Sequence, residues 1–246
     1  MTTLLISDLH LHPDEPAIAQ GFLAYLQREA RHAEALYILG DLFEAWIGDD
    51  CQGEFETRIL AALKRLSDAG TRLYFMHGNR DFLIGDGFAA VTGATLLPDP
   101  SVVALGGEPG GERTLLMHGD SLCTRDEAYM AFRAKARDPQ WQAQILALPV
   151  EQRLALAKQI RQQSGEANSN KAEDIMDVTP AEVVRRMAEC GVRTLIHGHT
   201  HRPDVHRLEV DGQSAQRIVL GDWHSDRGWQ VRVDDRTAPL LESFPL

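Results

Sequence analysis

The sequence predicts an α/β fold, and three observations carry that expectation. Apolar runs of strand length recur along the chain, helical segments separate the first three, and each run ends in a polar or glycine-containing loop. Strand, helix and strand in alternation imply a parallel sheet covered by helices on both faces.

The first run is Thr3–Ser7. Ala17–Ala33 reads as a helix because Ile18, Phe22, Tyr25 and Leu26 recur near a 3.6-residue period, and Asp14 with Pro16 supplies a start signal. Ala35–Leu39 is the second strand, Glu54–Ala69 the second helix and Thr71–Met76 the third strand. Arg113–Met117, Thr194–Ile196 and Arg217–Leu220 have the same length and apolar character. Asp211–Gly212 is a tight-turn signal and predicts antiparallel hairpin structure at the end of the sheet. From Ser121 to Lys171 the alternation stops, and consecutive helices are expected at Thr124–Asp138, around Gln140–Leu148, and at Val150–Gln163 after Pro149. One domain over 1–246 is therefore expected, with a helical insertion over about 121–171.

The 246 residues are 43% hydrophobic and 25% charged, which supports one sizeable core and excludes wholesale disorder. Lys and Arg total 25 against 36 Asp and Glu, a net charge of −11 that argues against a general nucleic-acid binder. The insertion differs: Arg125, Arg133, Lys135, Arg137, Arg153, Lys158, Arg161 and Lys171 outnumber Asp126, Glu127, Asp138, Glu151 and Glu166. That balance fits a cap for an anionic ligand and equally a solvated helical hairpin with charged outer faces. Three dispersed cysteines, Cys51, Cys123 and Cys190, point to a reducing compartment without a disulfide framework. The N-terminal residues lack the basic and apolar regions of a signal peptide, and no apolar stretch approaches 18 residues. A cytoplasmic location is expected, with peripheral membrane contact left open.

Metal-ligating residue types gather at the ends of the runs: Asp8-Leu9-His10, Gly40-Asp41, Gly78-Asn79-Arg80-Asp81, His118-Gly119-Asp120 and Gly198-His199-Thr200-His201. In open α/β sheets ligands bind at the carboxyl ends of strands, so all five segments are expected on one rim. Carboxylates, an amide oxygen and imidazoles together suit Mn²⁺, Zn²⁺ or Fe²⁺ rather than soft thiolate metals. Each piece alone is common; five in this order are not.

That order resembles the calcineurin-like metallophosphoesterases, from Ile6 to His201. The resemblance implies a β-sandwich with flanking helices and a helical cap. It also implies two metal ions: Asp8, His10 and His201 on one, Asn79, His118 and His199 on the other, with Asp41 bridging. Two cations sharing a carboxylate lower the pKa of a bound water and offset phosphoryl charge, which is the chemistry of phosphoester or pyrophosphate hydrolysis. Catalytic roles then fall on Asp41, Asn79, Arg80 and His118. Many members carry His where this chain has Arg80; arginine cannot give up a proton near neutrality but can clamp a phosphate with two hydrogen bonds.

Further segments, MTTLLISDLHLH, LGDLFEAW, HGNRDF, HGDSLC, IMDV and HGHTHRP, are similar to the subgroup that hydrolyses UDP-2,3-diacylglucosamine. The resemblance to this subgroup implies two Mn²⁺, release of UMP and 2,3-diacylglucosamine 1-phosphate in lipid A biosynthesis, and work at the cytoplasmic face of the inner membrane. It also implies substrate contacts at Asn79, Arg80, Asp126, Ser164, Asn168, Lys171 and His199. Ser164, Asn168 and Lys171 would share one helical face, although Gly165 weakens that helix. Without the resemblance, Ser164 reads as a helix cap and Lys171 as an exposed charge.

In the insertion, Tyr129, Phe132, Trp141, Ile145, Leu148, Leu154, Leu156 and Ile160 have the spacing of amphipathic helices that merely pack. The sharper reading is a groove for two acyl chains, at roughly 0.8 kcal/mol per buried methylene. His12, His77 and His197 fall outside the ligand pattern and read as packing or supporting residues, as do Asp81 and Asp120. Cys123 reads as a small buried residue. Two other functions remain open at this point: hydrolysis of a soluble nucleotide, and an inactive metal-binding scaffold.

Overall fold

The computed structural model describes residues 2–106, 111–169, 175, 177–235 and 237–246, with the side chains of 163–169 outside that description. Strands β1 (Thr2–Ile6), β2 (Ala35–Ile38), β3 (Arg72–Met76) and β4 (Thr95–Leu97) pair in parallel. Strand β10 (Arg227–Asp234) runs antiparallel beside β1, and β11 (Leu240–Pro245) closes that edge, giving a six-stranded sheet. A second, five-stranded sheet has the order β5-β6-β7-β9-β8, from Ser101–Leu105, Glu112–Met117, Thr194–His197, Gln213–Val219 and Asp204–Val210.

Side-chain alternation in β1 shows how the layers assemble. Leu4 and Ile6 pack with Phe22 of α1 (Pro16–Arg28), Leu60 and Leu63 of α2 (Glu54–Asp68) and Phe88 of α3 (Asp86–Thr92). Leu5 points the other way, into a cluster with Tyr37, Met76, Leu116, Ile196 and Ile218 from both sheets. A third cluster joins the outer face of the second sheet to Val183 and Met187 of α7 (Pro180–Cys190).

The architecture is therefore a β-sandwich flanked by helices, as the resemblance implied. Strand–helix alternation alone misled in one respect: the first sheet has helices on one face and the other sheet on its second face. Every residue of β2 and β7 is buried, so their sequences carry no period that distinguishes a covering helix from a covering sheet. The segment Ala17–Ala33 ends as α-helix at Arg28, followed by a 3₁₀ turn at Ala30–His32. Strand β9 begins at Gln213, earlier than the apolar run, because its polar half pairs with β8 across the turn at Asp211 (φ 50°) and Gly212 (φ 72°).

The insertion forms α4 (Glu127–Ala136), α5 (Pro139–Leu146) and α6 (Val150–Ser169). Three of its arginines, Arg133, Arg137 and Arg153, engage the body. Arg133 donates to Asp120 (2.9 Å) and Asp99 (3.0 Å), and Arg137 to the carbonyls of His77 (3.2 Å) and Gly78 (3.0 Å). Arg153, 4% exposed, donates twice to Asp50 (2.6 Å each) and once to the Ile47 carbonyl (2.8 Å). Arg153→Met is expected to free α6 from the body. Amide hydrogen exchange over 150–162 should then accelerate about tenfold or more while the sheets keep their protection.

Candidate metal centre

Five strand ends meet at one rim. Asp8 follows β1, Asp41 follows β2, Asn79 follows β3, His118 follows β6, and His199 and His201 follow β7. Five of these residues, including His10, hold left-handed backbone angles: Asp8 (φ 56°), His10 (49°), Asp41 (52°), His199 (68°) and His201 (54°). Residues other than glycine rarely adopt this conformation, and the strain persists only where surrounding structure enforces it. Here it aims short side chains inward. Two glycines make room: a Cβ on Gly78 would stand 2.0 Å from Asp41 Oδ1, and one on Gly198 would stand 2.1 Å from Asp8 Oδ2.

The donor atoms form two adjoining groups. In the first, Asp8 Oδ1 lies 4.0 Å from His10 Nε2 and 3.5 Å from His201 Nε2, and those two nitrogens are 3.2 Å apart. In the second, Asn79 Oδ1 lies 3.0 Å from His118 Nε2 and 2.8 Å from His199 Nδ1. Asp41 Oδ2 stands between them, 3.9 Å from His10 Nε2 and 3.8 Å from His118 Nε2. Asp8 Oδ1 is buried and has no hydrogen-bond partner, a costly state for a carboxylate oxygen unless a cation takes its lone pairs. The mixed nitrogen and oxygen set, facing inward from five loops, fits divalent metal ions.

Outward-facing atoms of the same residues are tied down. Asp8 Oδ2 accepts from Ser7 Oγ (2.5 Å) and His199 N (2.9 Å), and Asp41 Oδ1 accepts from Arg80 N (2.8 Å). His118 Nδ1 donates to the Leu39 carbonyl (2.9 Å), leaving Nε2 for the centre. Behind His10, Glu44 Oε2 lies 2.9 Å from Nδ1, off the N–H axis; behind His201, Asp222 Oδ2 lies 3.4 Å from Nδ1. These two carboxylates were not singled out from sequence. A signal for Asp222 existed, since Gly221-Asp222 follows an apolar run just as Gly40-Asp41 does.

Without metal, the carboxylates control the imidazoles. Burial works to lower the His201 pKa, but Asp222 and Asp8 outweigh it and raise it to about 10. Burial likewise opposes His118, which Asp41, Asp120 and Asp8 raise to about 8. His199, buried and beside His118, is pushed down to about 3. Protonated imidazole cannot ligate, so metal binding at pH 7 must expel the protons of His118 and His201. Burial also opposes His10, which Glu44, Asp41 and Asp8 raise, so it adds to the protons of His118 and His201. At least about two protons should therefore be released per chain at pH 7, and fewer at pH 9, where His118 is largely neutral while His201 is not. Calorimetric metal titrations in buffers of different ionisation enthalpy measure this directly.

Beside Asn79 and Arg80 opens a cavity of ≈ 340 Å³. Six of the eight apolar residues singled out in the insertion line it: Tyr129, Phe132, Trp141, Ile145, Leu156 and Ile160. Leu148 is half-buried outside it, and Leu154 is 53% exposed. Arg80 reaches this cavity, and its Nε is buried without a partner. Asp126 is buried and caps α4, accepting from Tyr129 N (3.1 Å). The backbone of α6 continues helically past Gly165, so positions 164 and 168 share a face. The side chains of Ser164 and Asn168, and all of Lys171, lie outside the described residues.

Several neighbouring groups stand apart from the donor cluster. His77 and His197 approach the carbonyls of Ile84 (2.7 Å) and Gly198 (2.8 Å). Asp81 joins two loops by accepting from Leu42 N and Gly78 N, both at 2.8 Å. Asp120 receives Tyr129 Oη (2.7 Å) and Arg133, so it anchors α4. The buried Cys123 thiol is pushed up to about 12 by desolvation and nearby carboxylates, which leaves it inert near neutrality.

The calcineurin-like phosphoesterase family profile matches residues 1–203. A protein of Chromohalobacter salexigens named UDP-2,3-diacylglucosamine hydrolase is 67% identical over 244 residues, 99% of this chain and 98% of that protein. Proteins of the same name in Pseudomonas paraeruginosa and Pseudomonas aeruginosa are 56% and 55% identical over 249 residues, each match covering 100% of both chains.

Proposed function

The chain belongs to the calcineurin-like phosphoesterase family, and from that premise we propose that it hydrolyses UDP-2,3-diacylglucosamine in lipid A biosynthesis. Water adds to the α-phosphorus, the bond to the bridging oxygen breaks, and the departing phosphate keeps the electron pair. The products are UMP and 2,3-diacylglucosamine 1-phosphate. One observation carries the reading: a cluster of inward-facing metal-ligand types opens directly onto an apolar, aromatic-lined cavity, with Arg80 where the two meet. A polar reacting centre joined to an apolar chamber suits a substrate that is a pyrophosphate at one end and acylated at the other.

Asp8, His10 and His201 would hold one Mn²⁺ and Asn79, His118 and His199 the second, with Asp41 shared. Bound there, the pair would supply a water of lowered pKa and charge to offset the phosphoryl oxygens. Arg80 would grip a phosphate oxygen through its guanidinium, whose buried Nε has no partner. It has no proton to give, and a phosphate leaving group needs none. Asp126, Ser164, Asn168, Lys171 and His199 complete the expected substrate contacts, with α4–α6 as the cap of a single domain.

Among the described residues no helix is long and apolar enough to cross a membrane. Leu146 and Leu154 of the cap are exposed, at 40% and 53%, which supports peripheral contact with the cytoplasmic face of the inner membrane. The test is UMP release from UDP-2,3-diacylglucosamine by metal-stripped protein, with and without added Mn²⁺. Mn²⁺-dependent UMP is expected; folded protein that releases none with any divalent metal would overturn the substrate, and turnover of soluble dinucleotides alone would replace it.

A further inference from the structure

The apolar cavity accounts for only one half of the proposed substrate. A second cavity, of ≈ 530 Å³, borders the donor cluster at His10, whereas the first borders it at Asn79. Glu44 and Arg161 line both, and their ion pair stands where the two meet. The second lining is of opposite character, with His12, Asp14, Glu15, His224 and Ser225 beside a single large aliphatic residue, Ile18.

We infer that this second cavity binds the uridine half of the substrate, so that nucleoside and acylated sugar occupy separate cavities. The inference rests on the proposed hydrolysis of a UDP-linked lipid. Reaction geometry favours such a separation. In an in-line displacement the entering and leaving oxygens are opposite each other, and the uridine 5′-oxygen lies at about a right angle to both. The leaving acylated sugar and the retained nucleoside therefore depart from phosphorus in different directions. The lining decides which half goes where. Acyl chains find aromatic and aliphatic walls only in the first cavity. A neutral nucleoside suits the second, where the carboxylates of Asp14 and Glu15 would repel a further phosphate but can accept from a ribose diol.

His12 is prepared for a base. Its Nδ1 accepts from Asp14 N (3.2 Å), which leaves Nε2–H as a donor, and its side chain is 44% exposed. A half-exposed imidazole in the same lining as Ile18 offers a ring face to stack on uracil.

The experiment compares the affinities of UMP and inorganic phosphate for the full chain loaded with Mn²⁺, by calorimetry, because their ratio isolates the nucleoside contribution. That ratio should fall about 5- to 150-fold in His12→Ala, the range for losing one base–aromatic stack, and recover in His12→Phe. It should also fall in Asp14→Ala combined with Glu15→Ala, and stay unchanged in Phe132→Ala. These residues are at the surface, and a thermal melt reports any loss of fold. An unchanged ratio in the His12 and Asp14/Glu15 variants, with UMP release by the wild type intact, would overturn the second site and leave the hydrolysis standing. A ratio that falls only in Phe132→Ala would overturn it by reversing the substrate. Wild-type protein that neither binds nor releases UMP would remove the hydrolysis itself, and the site with it.

Discussion

Asp41→Ala is expected to lower UMP release by about a thousandfold or more, with the fold retained. Asp41 Oδ2 stands between the two donor groups, 3.9 Å from His10 Nε2 and 3.8 Å from His118 Nε2. Among the described residues its other oxygen accepts from the Arg80 amide alone, so truncation there leaves one backbone donor unpaired, at a cost of about 1–3 kcal/mol. Against that cost, removing one carboxylate relieves its neighbours. Burial and the charge of Asp41 together push Asp81 up to about 7, and the variant loses that repulsion. Thermal melting separates the two effects. Metal-free wild type and variant should melt within a few degrees of each other, whereas added Mn²⁺ should raise the melting temperature of the wild type far more. Asp41→Asn sharpens the result: it keeps an acceptor for Arg80 N and removes only the charge. If it retains turnover, Asp41 positions the Arg80 loop and does not bridge metals.

What was legible in the sequence follows the physics of each element. The donor cluster was legible because its residues directly follow apolar runs, and a parallel strand delivers whatever follows it to the same rim. The β-sandwich was not legible from periodicity, since β2 and β7 are buried at every residue. Strand β10 carried an overlooked signal: Val231 and Val233 face the inner core while Arg232 between them does not. Helix α7 carried another, with Pro180 at its first turn, Val183 and Met187 on one face, and Gly191 ending it in the left-handed conformation. Charge in the cap was the least readable feature. A basic excess was visible, but only three-dimensional contact shows Arg133, Arg137 and Arg153 holding helices to the body. Glu44 acts through His10, distant in sequence, and no local motif reveals it, whereas Asp222 carried the same signal as Asp41, a Gly-Asp pair directly after an apolar run.

Phe132→Ala should lower kcat/KM for the diacylated substrate about 10- to 100-fold, the effect of removing one large apolar wall from a buried chain. Trp141→Ala should act similarly, although Trp141 also packs on Phe82 at 6.1 Å and lies under Lys135 at 5.7 Å, so part of its loss would appear as cap destabilisation. Substrate chain length separates recognition from packing. Each methylene removed from the part of the chain that lies in the cavity should cost the wild type about fourfold in kcat/KM, from roughly 0.8 kcal/mol. If Phe132 touches the chain, its truncation and the chain's shortening remove the same contact, and the two losses combined will be smaller than their sum. If Phe132 only packs α4 against its neighbours, the variant will lose the same factor on long and short chains, and its melting temperature will fall. The cavity's lining favours the first outcome, since Phe132 faces the same ≈ 340 Å³ space as Asn79 and Arg80. A chain seated there would hold the sugar phosphate at the rim, converting apolar burial far from phosphorus into alignment at it.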